Sequence, residues 1–419
     1  MSTEEIKVTR SAAPKLLAAG MRALAAAALL LAGAGQAAAG SRRNVIIISL
    51  DLLTIDKLGA YGGVGGLTPS LDAFSSTSTV FLNARSPASW TLPAAVSVLT
   101  GLYPSRHKMR NAGSKAENWE LSDARLDRNF RVLPEVFKKQ GYETRAFVGG
   151  GAYCSFYGIG RGFDKYEESD TPGIRKLESS LDAARGWLES RRDSRPFFSL
   201  VQGFDLLMQF PLPGDGLAPG QDPFANPAAG NKARDRRLMS ADRAFGKFLA
   251  FLEERGFLKN TVVAFISTHG ECIGACATHG TDLTEKLIHI PLIVYSPGTG
   301  GSAAGTLASL LDVGPTLISA AGLRPDKAFS AQSEGRVLYP FGGAKDECRS
   351  VFSETDFLYR VQKRAVVSCS GWKLVYDAMT SERKLYDLTR DPEERRDLFG
   401  AEPEKAAQLE GELFDWMAR

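Results

Sequence analysis

Ser86–His107 reads SPASWTLPAAVSVLTGLYPSRH, and the rest of the chain is interpreted from it. Pro93 suits the first turn of a helix, where its missing N–H is not needed. Ala94 through Leu99 continue that helix and Gly101 stops it. Thr91 then sits just before a helix N-terminus, where free backbone N–H groups and the macrodipole favour an anion. A hydroxyl there is either a nucleophile or a helix cap, and the segment alone favours the cap.

Outward from this stretch, apolar runs alternate with helical patterns. Asn44–Leu50 (NVIIISL) is a continuous β-branched run, expected for a strand buried on both faces of a parallel sheet. Asp51 follows at its carboxyl end, where open α/β sheets place ligands, although an Asp there also commonly caps a turn. Strands are likewise expected at Glu143–Val148, Pro196–Val201, Thr261–Ser267 and about Ile290–Ile293. Helices are expected at Leu133–Gln140, Lys176–Arg192, Arg236–Arg255 and Ser309–Gly322. The Pro-, Gly- and Ala-rich stretch Pro211–Gly230 reads as a surface loop. After a variable connection near Leu323–Glu347, short strands follow at Ala365–Cys369, Trp372–Tyr376 and Lys384–Asp387, then a helix at Pro403–Trp416.

With 419 residues, 44% hydrophobic and 24% charged, the composition fits a globular α/β chain with a substantial core. The 51 basic and 48 acidic residues nearly cancel, so no nucleic-acid partner is implied. Lys7, Arg10, Lys15 and Arg22 precede a short apolar run, and Ala37-Ala38-Ala39 supplies a cleavage site. Residues 1–39 read as a signal peptide, with an uncleaved anchor as the alternative. The expected product is secreted, periplasmic or held in the cell envelope, with no membrane span after cleavage. Five Cys leave at least one unpaired and do not suggest a disulfide scaffold.

Several phrases, in order, resemble the sulfatase family of the alkaline-phosphatase-like superfamily. They are Asp51 after its strand, Tyr61-Gly62, Thr68-Pro69-Ser70-Leu71-Asp72, the Ser86–His107 segment and Gly160-Arg161-Gly162-Phe163-Asp164. Thr268-His269-Gly270-Glu271, His279-Gly280 and Tyr386-Asp387-Leu388 with Asp391-Pro392-x-Glu394 continue the match. The resemblance implies a large, mostly parallel sheet flanked by helices over residues 40–335. It also implies a small antiparallel sheet with a helix over residues 345–419.

It further implies hydrolysis of a sulfate or phosphate ester with a divalent metal, and here the chain departs from the family pattern. Thr91 falls on the nucleophile that the family oxidises to formylglycine, and Ala95 falls on the Arg of the maturation signal. No formylglycine is expected, although Thr91 is able to act as a direct nucleophile. Of the metal ligands, Asp51, Thr91 and His269 match, whereas Leu52 and Thr268 replace carboxylates. Binding of Ca²⁺, Mg²⁺, Mn²⁺ or Zn²⁺ is expected to be weak. His279 and His107 are candidate catalytic acids, and Lys286 and Asp205 candidate substrate contacts, each with a purely structural role as the alternative. Gln202 and Leu207 stand where relatives often carry His.

His269, Cys272, Cys276 and His279 are zinc-type residues by chemistry, but buried or disulfide-paired cysteine fits their spacing better. Two functional classes follow. One is a weak or inactive sulfatase-like hydrolase, or a Thr-nucleophile phosphoester hydrolase or transferase. The other is a non-catalytic binding or scaffolding protein on the same fold.

Overall fold

A computed structural model describes residues 42–63, 65–110, 125–169, 175–208, 215–217, 221–274, 276–339 and 348–419. The expected signal segment and parts of the expected 211–230 loop and 323–347 connection lie outside the described residues.

Eight strands build the large sheet: β1 (Asn44–Leu50), β2 (Thr79–Arg85), β3 (Glu143–Phe147), β4 (Lys165–Glu167), β5 (Phe197–Gly203), β6 (Thr261–Ile266), β7 (Leu292–Tyr295) and β8 (Ser302–Ser309). Their spatial order is β4-β3-β5-β1-β6-β7-β2-β8. Every pairing is parallel except those of β7, which runs antiparallel to β6 and β2. β1 lies between β5 and β6, with Val45, Ile47 and Ile48 fully buried, as its apolar run requires. β2, β4 and β8 escape the pattern reading: β8 is SAAGTLAS, which has neither an apolar run nor clean alternation. β7 starts two residues later than expected, because Pro291 donates no ladder hydrogen bond.

The helices Leu177–Ser190 and Pro227–Glu254 pack together on the sheet; Phe245 of the second meets Phe265 of β6 edge-on at 5.3 Å. The second helix has 28 residues and begins nine before the expected Arg236. Asn226 caps it by accepting the Ala229 N–H, and Pro227 occupies the first turn. The first residues of this helix fall in the Pro-, Gly- and Ala-rich stretch to Gly230 that reads as loop, yet they supply a good helix start. The expected Ser309–Gly322 helix resolves into a short 3-10 turn at Leu310–Asp312 followed by a helix at Val313–Ala320.

A second sheet holds β9 (Val351–Thr355), β10 (Lys363–Val367), β11 (Trp372–Asp377) and β12 (Arg383–Asp387), all antiparallel, in the order β12-β11-β10-β9. The Pro403–Met417 helix covers it: Trp416 stacks on Phe352 at 4.8 Å and meets Tyr103 edge-on at 5.1 Å. Tyr103 follows the Thr91–Thr100 helix, so this contact ties the opening segment to the C-terminal sheet. A buried ion network makes a second tie. Arg85 lies 2.7 Å from Glu285, and Lys373 lies 3.0 Å from Glu285 and 2.8 Å from Glu394. That pairing gives the Asp391-Pro392-x-Glu394 phrase a structural purpose. Residues 43–419 form one compact unit. Among the described residues no helix is long and apolar enough to cross a membrane.

Candidate active site

The carboxyl edge of the central strands gathers the site. β1 delivers Asp51, β6 delivers Thr268 and His269, and the Thr91–Thr100 helix points its first turn at both. Thr91 is the first residue of that helix rather than the one before it; Trp90 is the cap, and no side chain caps the end. The first-turn N–H groups near Thr91 are therefore left without a side-chain acceptor. All ten helix residues are buried and Gly101 ends the helix with φ 70°, a conformation glycine adopts freely.

Thr91 Oγ1 lies 3.0 Å from His269 Nε2. His269 Nδ1 lies 2.7 Å from the Gly270 carbonyl, which can only accept, so Nδ1 carries the proton and Nε2 accepts from the Thr91 hydroxyl. Burial, reinforced by the neighbouring His279, pushes His269 down to about 3, so its ring is neutral at ordinary pH. Asp51 is fully buried. Its Oδ1 accepts the Ser49 hydroxyl at 2.7 Å, while Oδ2 has no hydrogen-bond partner. Burial pushes its carboxyl up to about 6, against the opposing effects of the Ser49, Thr268 and Thr91 hydroxyls. Thr268 Oγ1 is likewise buried without a hydrogen-bond partner.

Beside this group, the buried Glu271 accepts the N–H groups of Cys272 at 3.0 Å and His279 at 3.1 Å, and its other oxygen meets His279 Nδ1. Burial alone would raise the Glu271 carboxyl; the bond and charge of His279 outweigh it and hold the group below its ordinary value. The His279 ring lies 5.5 Å from that of His269 and is partly exposed. Thus Asp51, Thr91, His269 and His279 come together.

The remaining candidates sit differently. His107 is buried against the same helix, with Nε2 3.1 Å from Ser97 Oγ and Nδ1 accepting the Met109 N–H at 3.1 Å. Burial pushes it down to about 3. Asp205 is buried and accepts the Leu177 N–H at 2.6 Å at the start of the Leu177–Ser190 helix; burial pushes it up to about 6. That geometry is a helix cap. Lys286 is half-exposed and reaches Asp56 at 3.3 Å, while its carbonyl packs so closely on Gly270 that a Cβ there would lie 2.0 Å away. Gln202 accepts the Gly149 N–H at 2.9 Å, and its buried Nε2 has no hydrogen-bond partner.

Two positions were not legible as part of the site. Arg234, just before the expected helix start, is buried and donates to the carbonyls of Leu52 and Glu271, the latter at 3.1 Å. It therefore ties the loop after β1 to the loop after β6. Leu52 has φ 67°, a left-handed conformation that strains a leucine. Tyr153, after β3, is fully enclosed, and its hydroxyl feels the Asp51 charge and the Ser49 hydroxyl. The odd polar Ser49 inside an otherwise apolar strand was the one available signal.

The cysteines settle as two disulfides, Cys272–Cys276 and Cys348–Cys369, with Cys154 free. The first uses both thiols of the zinc-type quartet, so the disulfide alternative is the one adopted. Sulfatase relatives are generally metal-dependent, but this donor set does not suit a hard divalent cation, which takes several oxygens and usually more than one carboxylate. Only Asp51 is charged; Thr91 and Thr268 offer hydroxyls and His269 a nitrogen already bonded to Thr91. Among the described residues no group of three or more His, Cys, Asp or Glu is arranged to hold a metal ion.

Comparison with known proteins agrees with this architecture. The rat N-acetylgalactosamine-6-sulfatase is 26% identical over 329 residues, 67% of this chain, and the chain spans 62% of that protein's length. An arylsulfatase of Clostridium perfringens is 22% identical over 86% of this chain and 91% of its own. Among solved structures, a protein in complex with its substrate D-glucosamine-2-N,6-O-disulfate superposes with TM-score 0.73 at 16% identity. It covers 90% of this chain and 98% of its own. The phosphonate monoester hydrolase of Agrobacterium radiobacter superposes with TM-score 0.70 at 19% identity, covering 90% and 96%. Such likeness carries the alkaline-phosphatase-like fold. The Sulfatase family model matches residues 43–323, from just before β1 to just past the Val313–Ala320 helix, and the chain belongs to the sulfatase family.

Proposed function

We propose that this chain is an exported sulfatase-family protein that recognises a sulfate or phosphate ester at the Thr91 edge, with weak divalent-metal binding and little formylglycine-type turnover. The observation that carries this reading is the solitary Asp51 carboxylate, buried, pushed up to about 6 and facing Thr268 where the family carries a second carboxylate. Thr91 cannot give the family's aldehyde, and Ala95 removes the recognition Arg. Export is supported by the charged, apolar and Ala-rich order of residues 1–39 and by two disulfides, which persist in oxidising compartments. The sugar sulfates named for relatives suggest a sulfated or phosphorylated carbohydrate as ligand. Metal analysis and aryl-sulfate and aryl-phosphate turnover of the purified mature protein test the reading. Stoichiometric tight metal with sulfate turnover would refute it.

A second reading is favoured by the Thr91–His269 hydrogen bond. Thr91 Oγ bonds to phosphorus as His269 Nε2 takes the hydroxyl proton. The ester oxygen then leaves, with His279 as the nearby proton donor. Incubation with an aryl phosphate followed by peptide mass spectrometry across Ser86–Arg106 tests it: a phosphate on Thr91 supports direct nucleophilic chemistry, and release of the alcohol without it rejects that route.

A further inference from the structure

The loop from Glu271 to His279 holds the candidate proton donor, and a disulfide closes it from within. Cys272 and Cys276 are four positions apart, between the two ends of the Glu271–His279 pair. The Cys272 N–H and the His279 N–H bond to the same Glu271 oxygen, so the disulfide and the imidazole hang from one carboxylate. Between the cysteines, Ile273 packs with Met208 and Ala233, and its carbonyl accepts from Asn231 at 3.3 Å. Cys272 is nearly buried while Cys276 is exposed. The Cys276 end of the bridge is thus at the surface while the Cys272 end stays anchored beside the site.

We propose that Cys272–Cys276 is a thiol-exchange clasp on the active-site loop, opened by a dithiol reductant and closed by the reverse exchange with a disulfide oxidant, with the orientation of His279 as its output. A thiolate of the reductant attacks the exposed Cys276 Sγ. A mixed disulfide forms as the Cys272–Cys276 bond breaks, and Cys272 departs as a thiolate that takes a proton. The second thiol of the reductant then attacks its own partner sulfur and releases Cys276 as a thiol. Two electrons and two protons pass to this chain and the reductant ends as a disulfide. Once open, Cys272 no longer holds its end of the loop against Cys276, and the bonds that aim Glu271 at His279 lose that constraint. Cys348–Cys369, which joins residues beside β9 and β10, lies outside this loop. The effect on ester chemistry rests on the role given to His279 above; the structural clasp does not.

The four histidines make the test direct. Two-dimensional ¹H–¹³C spectra of histidine-labelled full-length mature protein would be recorded oxidised, after complete reduction with a dithiol verified by mass, and for Cys272→Ser/Cys276→Ser without reductant. His107 and His289 have their own partners, Ser97 with Met109 and Leu82 with Glu285, and report that the fold is intact. The expected result is a His279 signal that shifts or broadens identically in the reduced wild type and the double variant, with His107 and His289 unmoved. A His279 signal unchanged in both overturns the clasp. A change on reduction that the double variant fails to reproduce also overturns it, because the cause would then be Cys348–Cys369. No ligand is needed, so the result stands apart from whether Thr91 reacts.

Discussion

Placing a second carboxylate at the site tests the proposal that charge limits metal binding there. Thr268 is fully buried, its Oγ1 has no hydrogen-bond partner, and its side chain lies within the field of Asp51. Thr268→Asp would place a second unit charge there. At an effective dielectric near 20 and about 4 Å, two like charges repel by about 4 kcal/mol, while one charge and a divalent ion attract by about 8 kcal/mol. The repulsion raises the pKa values of the carboxyl pair further and lowers the melting temperature of the metal-free variant. Desolvation of the new carboxylate cancels much of the attraction, yet a net gain of about 3 kcal/mol is still about a hundredfold in affinity.

The assay is thermal unfolding with chelator and with excess Ca²⁺, paired with calorimetric titration. Wild type is expected to melt at nearly the same temperature in both conditions. Thr268→Asp melts lower with chelator and recovers with Ca²⁺, Thr268→Asn shows no Ca²⁺ response, and adding Asp51→Ala to Thr268→Asp removes the response. A wild type already strongly stabilised by Ca²⁺, with that gain lost on Asp51→Ala, would refute the reasoning. So would a Thr268→Asp variant that ignores the ion.

Other substitutions separate binding roles from structural ones. Asp205 has a raised carboxyl, so the folded state holds its proton more tightly and stability falls as pH climbs from about 4 to about 6. Asp205→Asn still accepts the Leu177 N–H, so melting against pH should lose that slope, with a gain of about 1–3 kcal/mol at neutral pH. A loss of ligand binding without that gain would instead make Asp205 a substrate contact. His107→Ala strands the Met109 N–H and should cost about 2 kcal/mol by denaturant titration while leaving phosphate binding unchanged. Lys373→Met leaves Glu285 and Glu394 buried without their shared cation and should destabilise by about 3–5 kcal/mol in the same assay.

The fold was largely written in residue patterns, because the central strands are buried on both faces and so read as unbroken apolar runs. β1 ends at Leu50, as its composition predicts, and β6 stops one residue short of Ser267. The edge strands β4 and β8 and the small-sheet strand β9 escaped, being short or poor in β-branched residues. At the site, Asp51, Thr91 and His269 were singled out through the family resemblance of the phrases that hold them, and the structure places them side by side. For His107 and Asp205 the sequence left the role open, because a buried His or Asp looks the same in sequence whether its partner is a ligand or a backbone N–H. Only the bonds to Ser97, Met109 and Leu177 tell these apart.

Arg234 contributes to holding this edge together. It lies between the loops after β1 and β6. Here the guanidinium joins them through the carbonyls of Leu52 and Glu271, and burial lowers its pKa without a carboxylate bonded directly to it. Leu52 holds a left-handed backbone, at a cost on the order of 1 kcal/mol, and contributes an apolar side chain that is itself buried. The shape of the site is thus held in part by these bonds to backbone carbonyls. The Thr91 hydroxyl is aimed at the neutral imidazole of His269, which stands two residues before Glu271 in that loop.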